Sequence, residues 1–528
     1  AFGGREDISI QIYLGLAALR LGRPVRIQYT REESMIARHK RHPIEVDYTL
    51  GARADGTFTF AEVLIRTDEG AYASTGPAVL RKAVSHCTGP YRVPNVHADG
   101  VAIFTNTCPT GAMRGFGACQ LAIAYEGAVA AMAEALGIDV LELKRRNLLR
   151  DGDALTTTQT VPIASGIECM DAALAAFGWD ARDRSHPAPH LRRGYGVSTI
   201  CFGVGYGDGY PDRSFGQVRF AEDGVLEVRS AGVEVGQGLH GLLAQIAAEV
   251  LGVPAESVRV IGSDTATTPE SGSSSATRQT VFSGNAIKLA AGEVHRQLMD
   301  AAGSMLALHW EDLEIRDGVV RGIHQPEVQA PLPMVVRAAR DRGFSLDHTA
   351  LYQPRTVPGG AGTGLSPRAF LTYMFASHVA EVLVDIETGE VRVQRITAAH
   401  DVGVAINPRE VAGQIEGGVA QGLGMALMEE VVTRDGRILN PSFTDYIIPT
   451  MVDVPPILSV IVERPDLEGP FGARGVGEPP LIGTVPAVLG AIADATGVPM
   501  RQTPATAERV WQALQQRPAW NEGAGGEA

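Results

Sequence analysis

The sequence predicts a mixed α/β fold that is divided into more than one domain. Its 528 residues, 45% of them hydrophobic, are enough for about two to four domains with sizeable cores. Alternating strand patterns flank the turn "ADGT" at 54–57, and helical spacing of apolar residues marks 121–136. A strand–loop–helix pattern follows at 224–252, so strands and helices recur along the chain.

The first part of the chain predicts a hairpin and two helices. Segment 44–74 has the alternation of two strands around its turn. Gly137 is placed to end the helix over 121–136. Asp139 and Glu142 have the spacing of a capping box, which predicts that a second helix begins there. The polar segment that follows, at 148–161, lacks periodicity and is expected to be a linker.

Later segments predict further strands and a glycine-rich helix. Two apolar runs at 224–235 and 257–264 enclose the loop–helix segment at 236–252. A strand pair is expected at 377–403. Asn407, Pro408 and Glu410 then form a helix start, with five glycines inside the helix. Because each interior glycine costs about 1 kcal/mol, tight packing against that helix is expected.

Composition excludes several functional classes. The net charge of −14 argues against nucleic acid as a partner. No run of about 18 apolar residues predicts a membrane span. The five cysteines include no C-x-x-C pair, which argues against zinc or iron–sulfur clusters in this chain and favours a reducing compartment, the cytoplasm. The start "AFGGRED" lacks the pattern of a signal peptide, and we expect the chain to be a fragment or one member of a split gene.

Glu478 is the sharpest candidate for chemistry. It lies in "GARGVGEPPLIG", between Gly477 and two prolines that fix the backbone. A carboxylate on a rigid, otherwise apolar turn is suited to general-base catalysis. The residues alone favour a surface turn whose glutamate is solvated.

Other loops combine glycine with polar groups. Arg114 in "MRGFG" has the chemistry to clamp an anion or to pair with a carboxylate, and Phe116 beside it is a candidate for stacking or for the core. The loop "GQGLHG" at 236–241 fits G-x-G-x-x-G, so its N–H groups are expected to cradle an anion at a helix start. A nicotinamide dehydrogenase, with Asp264 on the ribose, is one interpretation of that loop.

Six segments in order give the chain a family resemblance. They are "FGGRED", "MRGFGACQ", "GQGLH", "SSSATRQTVFSGNA", "DVGVAINPREVAGQIEGGVAQGLG" and "GARGVGEPPLIG". Together they resemble the molybdenum-binding large subunit of the xanthine dehydrogenase family of molybdenum hydroxylases, and most of all its bacterial separate-subunit members. The resemblance implies an α+β fold with two elongated mixed domains that clasp a molybdopterin cofactor, at 1–180 (N-terminally incomplete) and 181–515, before a disordered tail at 516–528.

The family's chemistry is implied in the same way. The cofactor would be molybdopterin, in its cytosine dinucleotide form, and the substrate a purine-like N-heterocycle such as xanthine or hypoxanthine. Glu478 matches the base that takes a proton from the water-derived oxygen during hydroxylation. Electrons would leave through 2Fe-2S and FAD groups on partner subunits, in a higher oligomer of heterotrimers.

The resemblance also assigns roles to individual residues. The residues that would contact the substrate are Glu6, Lys82 and Phe116. Positions next to the metal are Phe2, Arg114 and Ala276. The remaining cofactor contacts would be made by Gly3, Gly115, Gly236, Gln237, Gly238, Ser275 and Gln414, together with Phe2 and Ala276.

Two departures from the family pattern keep alternatives open. Animal-type purine hydroxylases have an arginine where this chain has Lys82, which keeps the charge but lacks the bidentate fork. An aldehyde or another azaheterocycle is therefore an alternative substrate. The family also has a segment before "FGG" that this chain lacks, which leaves a cofactor-free assembly subunit as a non-enzyme alternative.

Overall fold

A computed structural model describes residues 8–516. Phe2, Gly3, Glu6 and positions 517–528 of the predicted tail lie outside this range. Within it, the α-helices are Ser9–Leu21 (α1), Arg31–Ala37 (α2), Gly76–Ser85 (α3), Ala118–Leu136 (α4), Val140–Asn147 (α5), Gly166–Phe177 (α6), Leu239–Leu251 (α7), Gln279–Leu306 (α8), Leu332–Asp341 (α9), Pro408–Leu427 (α10), Pro479–Thr496 (α11) and Ala507–Gln515 (α12). Short 3₁₀ turns occur at Trp179–Ala181, Ala255–Ser257, Trp310–Asp312 and Pro470–Gly472.

The strands of this range form several separate sheets. They are Ile44–Ala52 (β1), Phe58–Gly70 (β2), Val96–Phe104 (β3), Leu191–Gly203 (β4), Ser214–Phe220 (β5), Leu226–Ser230 (β6), Val258–Gly262 (β7), Leu313–Arg316 (β8), Val319–Gly322 (β9), Gln329–Pro331 (β10), Asp347–Tyr352 (β11), Tyr373–Asp385 (β12), Val391–Asp401 (β13), Thr433–Arg434 (β14), Arg437–Ile438 (β15) and Ile457–Val462 (β16). Their orders are β1-β2-β3, β11-β5-β6-β7, β16-β13-β12-β4, β10-β9-β8 and β14-β15. The predicted mixed α/β character is confirmed.

The sheet β16-β13-β12-β4 lies in the largest core. β12 and β13 pair antiparallel, as the pattern at 377–403 predicts, and β16 joins β13 in parallel. Helices α6 and α11 pack against this sheet. Its core also takes in buried residues of α4 and of segment 148–161, so the predicted linker is irregular in structure but not a free connector.

Helix α10 contacts α11 through two of its five glycines. Asn407 caps α10 by accepting a hydrogen bond from the N–H of Glu410, as predicted. A Cβ on Gly418 would lie 2.3 Å from Pro480, and one on Gly422 would lie 2.4 Å from Thr484. These two positions account for the expected tight packing, because any side chain there would push the helices apart.

The N-terminal sheet and its helices follow the predicted pattern. β1 and β2 form the hairpin around the turn at 54–57, and β3 joins β2 in parallel. Gly137 ends α4 in a left-handed conformation. Asp139 caps α5 by accepting from the N–H groups of Leu141 and Glu142, although the Glu142 side chain pairs with Arg146 instead of completing a capping box.

Residues of β5 to β11, with α7, α8 and α9, build a second core. β6, α7 and β7 form the strand–loop–helix–strand unit that the sequence predicts, and β6 and β7 are parallel. β5 pairs antiparallel with both β6 and β11, so the sheet is not the all-parallel sheet of a dinucleotide-binding domain. The boundary at 180/181 stays a prediction.

One described helix, α11, is long and apolar enough to cross a membrane. Of its window, 83% is buried inside the structure, which is typical of a core helix. α4 and α5 pass the same test only as a pair bent by 116°.

Candidate functional site

Loops from distant parts of the chain line one open cavity of about 2900 Å³. They are the loop before α4, the loop before α7, the serine-rich loop before α8 and the loop before α11. Glu478, Arg114, Phe116, Gln237, Ala276 and Gln414 all border this cavity. The structure therefore brings these six residues together with Lys82, Gly236 and Ser275, whereas the predicted cofactor residues Gly115 and Gly238 do not line the cavity.

Glu478 is half-buried at the N-terminal end of α11, directly before Pro479. The N–H of Gly115 donates to its Oε1 at 3.3 Å, and the Thr277 hydroxyl donates to its Oε2 at 2.9 Å. Because both oxygens have donors from other loops, the carboxylate has a defined direction. A solvated surface turn does not describe this position.

Arg114 is half-buried among neutral acceptors. Its guanidinium donates to the carbonyl of Gly477 at 2.6 Å, to Gln421 Oε1 at 3.0 Å and to the carbonyl of Gln414 at 3.0 Å. Burial lowers the pKa of Arg114 to about 10, although the charge of Glu478 opposes this shift. Since all these acceptors, drawn from residues 8–516, are neutral, the cation keeps its charge available to an anion in the cavity.

The serine-rich loop has an unusual backbone beside Glu478. Ala276 and Thr277 have φ values of 52° and 56°, the left-handed region that a β-branched residue rarely adopts. The carbonyl of Ala276 accepts from the N–H of Gly205 at 2.9 Å. The Ser275 hydroxyl lies 2.6 Å from the hydroxyl of Tyr206. The loop is thus held by groups of a glycine-rich neighbour.

The anion cradle predicted in the loop before α7 is already filled by the chain itself. The N–H groups of Gly236, Gly238 and His240 all donate to the Glu234 carboxylate, at 2.7, 3.1 and 3.1 Å. Although burial raises the pKa of Glu234, these three donors lower it below its ordinary value. In this structure a carboxylate at a helix start satisfies these N–H groups, and cofactor binding by Gly236 and Gly238 stays a prediction.

Gln237 and Asp264 also bond within their own loops. The Gln237 amide donates to the carbonyl of Val233 at 2.8 Å and accepts from the N–H of Val235 at 2.7 Å. Asp264 accepts from the N–H of Ala266 at 2.9 Å, so it caps its own turn. Neither contact supports a nicotinamide site, and cofactor binding by Gln237 stays a prediction.

We expect Glu234→Ala to destabilise this loop. It leaves three N–H groups without their acceptor, and losing such a cap costs about 1–2 kcal/mol. Urea unfolding measures the change, and Glu222→Ala, at an exposed acid before β6, is the control. Equal urea midpoints for the two variants would contradict the bracing role.

Lys82 is buried, and its ammonium contacts groups of the protein itself. Only 6% of it is exposed, and its ammonium donates to the carbonyl of Gly203 at 2.6 Å. The rings of Phe202 and Phe370 lie 4.0 and 4.2 Å from it. Burial lowers the pKa of Lys82 to about 8, against the opposing charge of Glu478. Its substrate role stays a prediction.

Arg81 presents the more exposed charge at this wall of the cavity. It pairs with Asp208 of the glycine-rich loop at 2.6 Å, and 65% of its side chain is exposed. Phe116, between Gly115 and Gly117, is partly exposed with a φ of 44°. Substrate stacking by Phe116 remains a prediction.

Buried histidines support the elements behind the site. His86 Nε2 accepts from the N–H of Gly203 at 3.0 Å, so its proton is on Nδ1, 2.9 Å from the carbonyl of Lys82. Burial and the charge of Lys82 lower the pKa of His86 to about 3. Burial likewise lowers the pKa of His378, which lies 2.8 Å from His400 beneath α11, to about 3.

These buried histidines are expected to make the folded chain less stable at acid pH. An unfolded histidine titrates near about 6.5, so the unfolded chain binds protons that the folded chain excludes, and stability is lost as the pH falls from about 6.5 towards about 3. Between about pH 7.5 and about pH 5, each histidine lowers the free energy of unfolding by about 2 kcal/mol. We expect His378→Gln to reduce the acid-induced shift of the urea midpoint. His324→Gln, at an exposed loop position, is the control and should match the wild-type shift.

Several residues of the site are not indicated by the sequence patterns. Thr277 and Gln421 contact Glu478 and Arg114, and Glu234 fills the cradle. An acid two residues before a glycine-rich helix start is a signal for Glu234. No comparable signal marks the other two. Residues 8–516 contain no group of three or more His, Cys, Asp or Glu that could hold a metal ion, so a metal here would need ligands from a cofactor.

Comparisons with known proteins agree with the site. Residues 172–455 and 1–148 match two family profiles, each described as a molybdopterin cofactor-binding domain. A protein of Bacillus subtilis, named as one of the subunits of a probable xanthine dehydrogenase, is 33% identical over 517 residues, covering 98% of this chain and 68% of the relative.

Two crystal structures are also similar. Quinoline 2-oxidoreductase from Pseudomonas putida has a TM-score of 0.88 and 30% identity over 98% of this chain and 68% of its own. Aldehyde oxidoreductase from Desulfovibrio desulfuricans has a TM-score of 0.86 and 28% identity over 97% of this chain and 53% of its own. The chain therefore spans between about half and two thirds of these relatives. It belongs to the xanthine dehydrogenase family of molybdenum oxidoreductases, whose molybdopterin cofactor-binding domains it contains.

Proposed function

We propose that this chain is the molybdenum-binding catalytic subunit of a hydroxylase that oxidises a C–H bond of a purine-like N-heterocycle. The observation that carries this proposal is the Glu478 carboxylate, fixed by Gly115 and Thr277 in the same cavity as Arg114 and Phe116. When bound, the molybdopterin cofactor supplies two-electron oxidation of the substrate carbon with oxygen from water.

Glu478 holds and moves the proton in this mechanism. Two of the lone-pair positions of its carboxylate accept from Gly115 and Thr277, which leaves others free for a water-derived hydroxyl. Accepting that proton raises the nucleophilicity of the oxygen. Phe116 offers a ring face to a planar heterocycle, which restricts its orientation.

The residues at the site fit an anionic pterin cofactor. With a pKa of about 10, Arg114 is charged at neutral pH, and its hydrogen-bond acceptors within the described range are neutral carbonyl and amide oxygens. Ser275, Ala276 and Gln414 border the same space, and their small or neutral side chains leave room for a ligand. We assign the cofactor to this cavity, and we propose its cytosine dinucleotide form.

The remaining parts of the electron path are proposed to lie on partners. We propose a 2Fe-2S subunit and an FAD subunit, assembled with this chain as a heterotrimer that forms a higher oligomer in the cytoplasm. The Bacillus subtilis relative is itself named as one of several subunits, which supports a multi-subunit complex.

Aldehyde oxidation is the second candidate function, favoured by the enclosure of Lys82. Its ammonium already contacts the carbonyl of Gly203 and two aromatic rings. It therefore has fewer N–H donors available for a purine oxygen than an exposed arginine would have. The structural similarity to an aldehyde oxidoreductase agrees with this alternative.

A substrate panel on the purified complex tests the proposal. The gene for this chain is co-expressed with those of its proposed partner subunits, and the complex is purified. Its content of molybdenum and pterin is measured, together with the cytidine monophosphate that hydrolysis of the cofactor releases. Xanthine, hypoxanthine, quinoline and benzaldehyde are then compared by kcat/KM with an artificial electron acceptor. We expect the purines to have the highest values.

Each other outcome identifies an alternative. A higher kcat/KM for benzaldehyde would replace the purine assignment by aldehyde oxidation. A complex that contains neither molybdenum nor pterin would support an assembly subunit instead.

A further inference from the structure

Thr277 makes two hydrogen bonds with the same residue, Glu478. Its Oγ1 accepts from the Glu478 backbone N–H at 3.1 Å and donates to Glu478 Oε2 at 2.9 Å. Because an N–H can only donate, the single hydroxyl proton must point to the carboxylate. Thr277 therefore fixes both the backbone and the side chain of Glu478.

The loop that carries Glu478 passes very close to Thr277. A Cβ on Gly475 would lie 2.2 Å from the carbonyl oxygen of Thr277. Only glycine allows this approach, which brings the threonine hydroxyl within reach of Glu478. Thr277 itself is 9% exposed, so water does not compete freely for its hydroxyl.

Arg278 keeps Thr277 in its left-handed conformation. The Arg278 side chain is completely buried, and its Nε pairs with Asp212 at 2.7 Å. Its Nη atoms donate to the carbonyls of Ser271 at 2.8 Å and Arg213 at 2.6 Å. With these bonds in place, the preceding turn cannot relax without breaking a buried ion pair, so the φ of Thr277 is imposed by its surroundings.

We propose that Thr277 is a positioning residue for Glu478: the Thr277 hydroxyl holds the carboxylate in the direction from which it accepts the proton of the water-derived hydroxyl. This inference rests on the proposed function, in which Glu478 is the base. The Thr277 hydroxyl is not proposed to contact the substrate, and it acts only through Glu478.

Thr277→Val tests the inference, because valine keeps the branched shape and removes the hydroxyl. We expect kcat to fall about tenfold, the effect of one hydrogen bond to a charged group, with KM and molybdenum content unchanged. Thr277→Ser should restore most of kcat. Thr349→Val, at an exposed position of β11 that does not line the cavity, is the control and should match wild type. Should Thr277→Val fail to fold, Thr277→Ala removes the same hydroxyl without a branched side chain.

Crystal structures of the chain variants provide a readout that is independent of turnover. The Glu478 carboxylate should leave its position in the valine or alanine variant and keep it in the serine variant. A hydroxyl-free variant with wild-type kcat and an unmoved Glu478 overturns the inference, while an inactive Glu478→Gln still supports the proposed function. An active Glu478→Gln overturns both.

Discussion

Glu478→Gln is expected to lower kcat by about 10²–10⁴-fold, the usual contribution of a general base. Glutamine has nearly the same size as glutamate, and its Oε1 can still accept from Gly115 or Thr277, so the loop should keep its position. What it loses is the ability to take up a proton. The expected result is therefore a protein that folds and binds its cofactor but turns over slowly.

The measurement compares kcat and molybdenum content in the purified complex. Glu62→Gln is the matched control, because Glu62 is an exposed acid on β2 that does not line the cavity. We expect it to leave both quantities unchanged. If Glu478→Gln retains molybdenum and full turnover, Glu478 is not the base.

Arg474→Met is expected to give the largest loss of stability. Arg474, whose side chain is 1% exposed, pairs with Asp401 and with Asp466, the latter at 2.6 Å, and both carboxylates are buried. Removing the cation leaves two buried negative charges without a counterion, which costs about 3–5 kcal/mol. Because Arg474 lies four residues before Glu478 on the same loop, part of the loop should loosen with it.

Arg296→Met provides the comparison for this effect. Arg296 also pairs with two carboxylates, Glu293 at 2.6 Å and Asp300 at 2.8 Å, but on an exposed face of α8. Such surface pairs contribute about 1 kcal/mol or less. Urea unfolding of both variants measures the difference, and similar midpoints would contradict the structural role of the buried triad. Arg474→Lys should be intermediate, since it keeps the charge and loses one of the two contacts.

The regular elements of this fold follow from local patterns. The Asn407 cap, the Gly137 terminus and the hairpin of β1 and β2 depend on residues close together in sequence, so their signals are local. Asp401, at the end of β13, is a buried partner of Arg474. The arginine could not be chosen in advance, because the pair spans two distant segments.

The site was predictable in its members but not in its contacts. The family motifs name Glu478, Arg114 and Ala276, and the structure places them around one cavity. The motif "GQGLHG" predicts an open cradle, whereas Glu234 fills it. The pairing of Thr277 with Glu478 depends on a strained backbone conformation, which no propensity scale anticipates for a β-branched residue.

The glycine contacts between α10 and α11 bear on the shape of the cavity wall. Through Gly418 and Gly422 the two helices are locked together, so Gln414 and Glu478 form one rigid wall. The facing wall, with Thr277, belongs to the start of α8, whose remaining turns pack in the second core. We therefore expect any larger residue at Gly418 to separate Gln414 from Glu478 and so to change the shape of this wall.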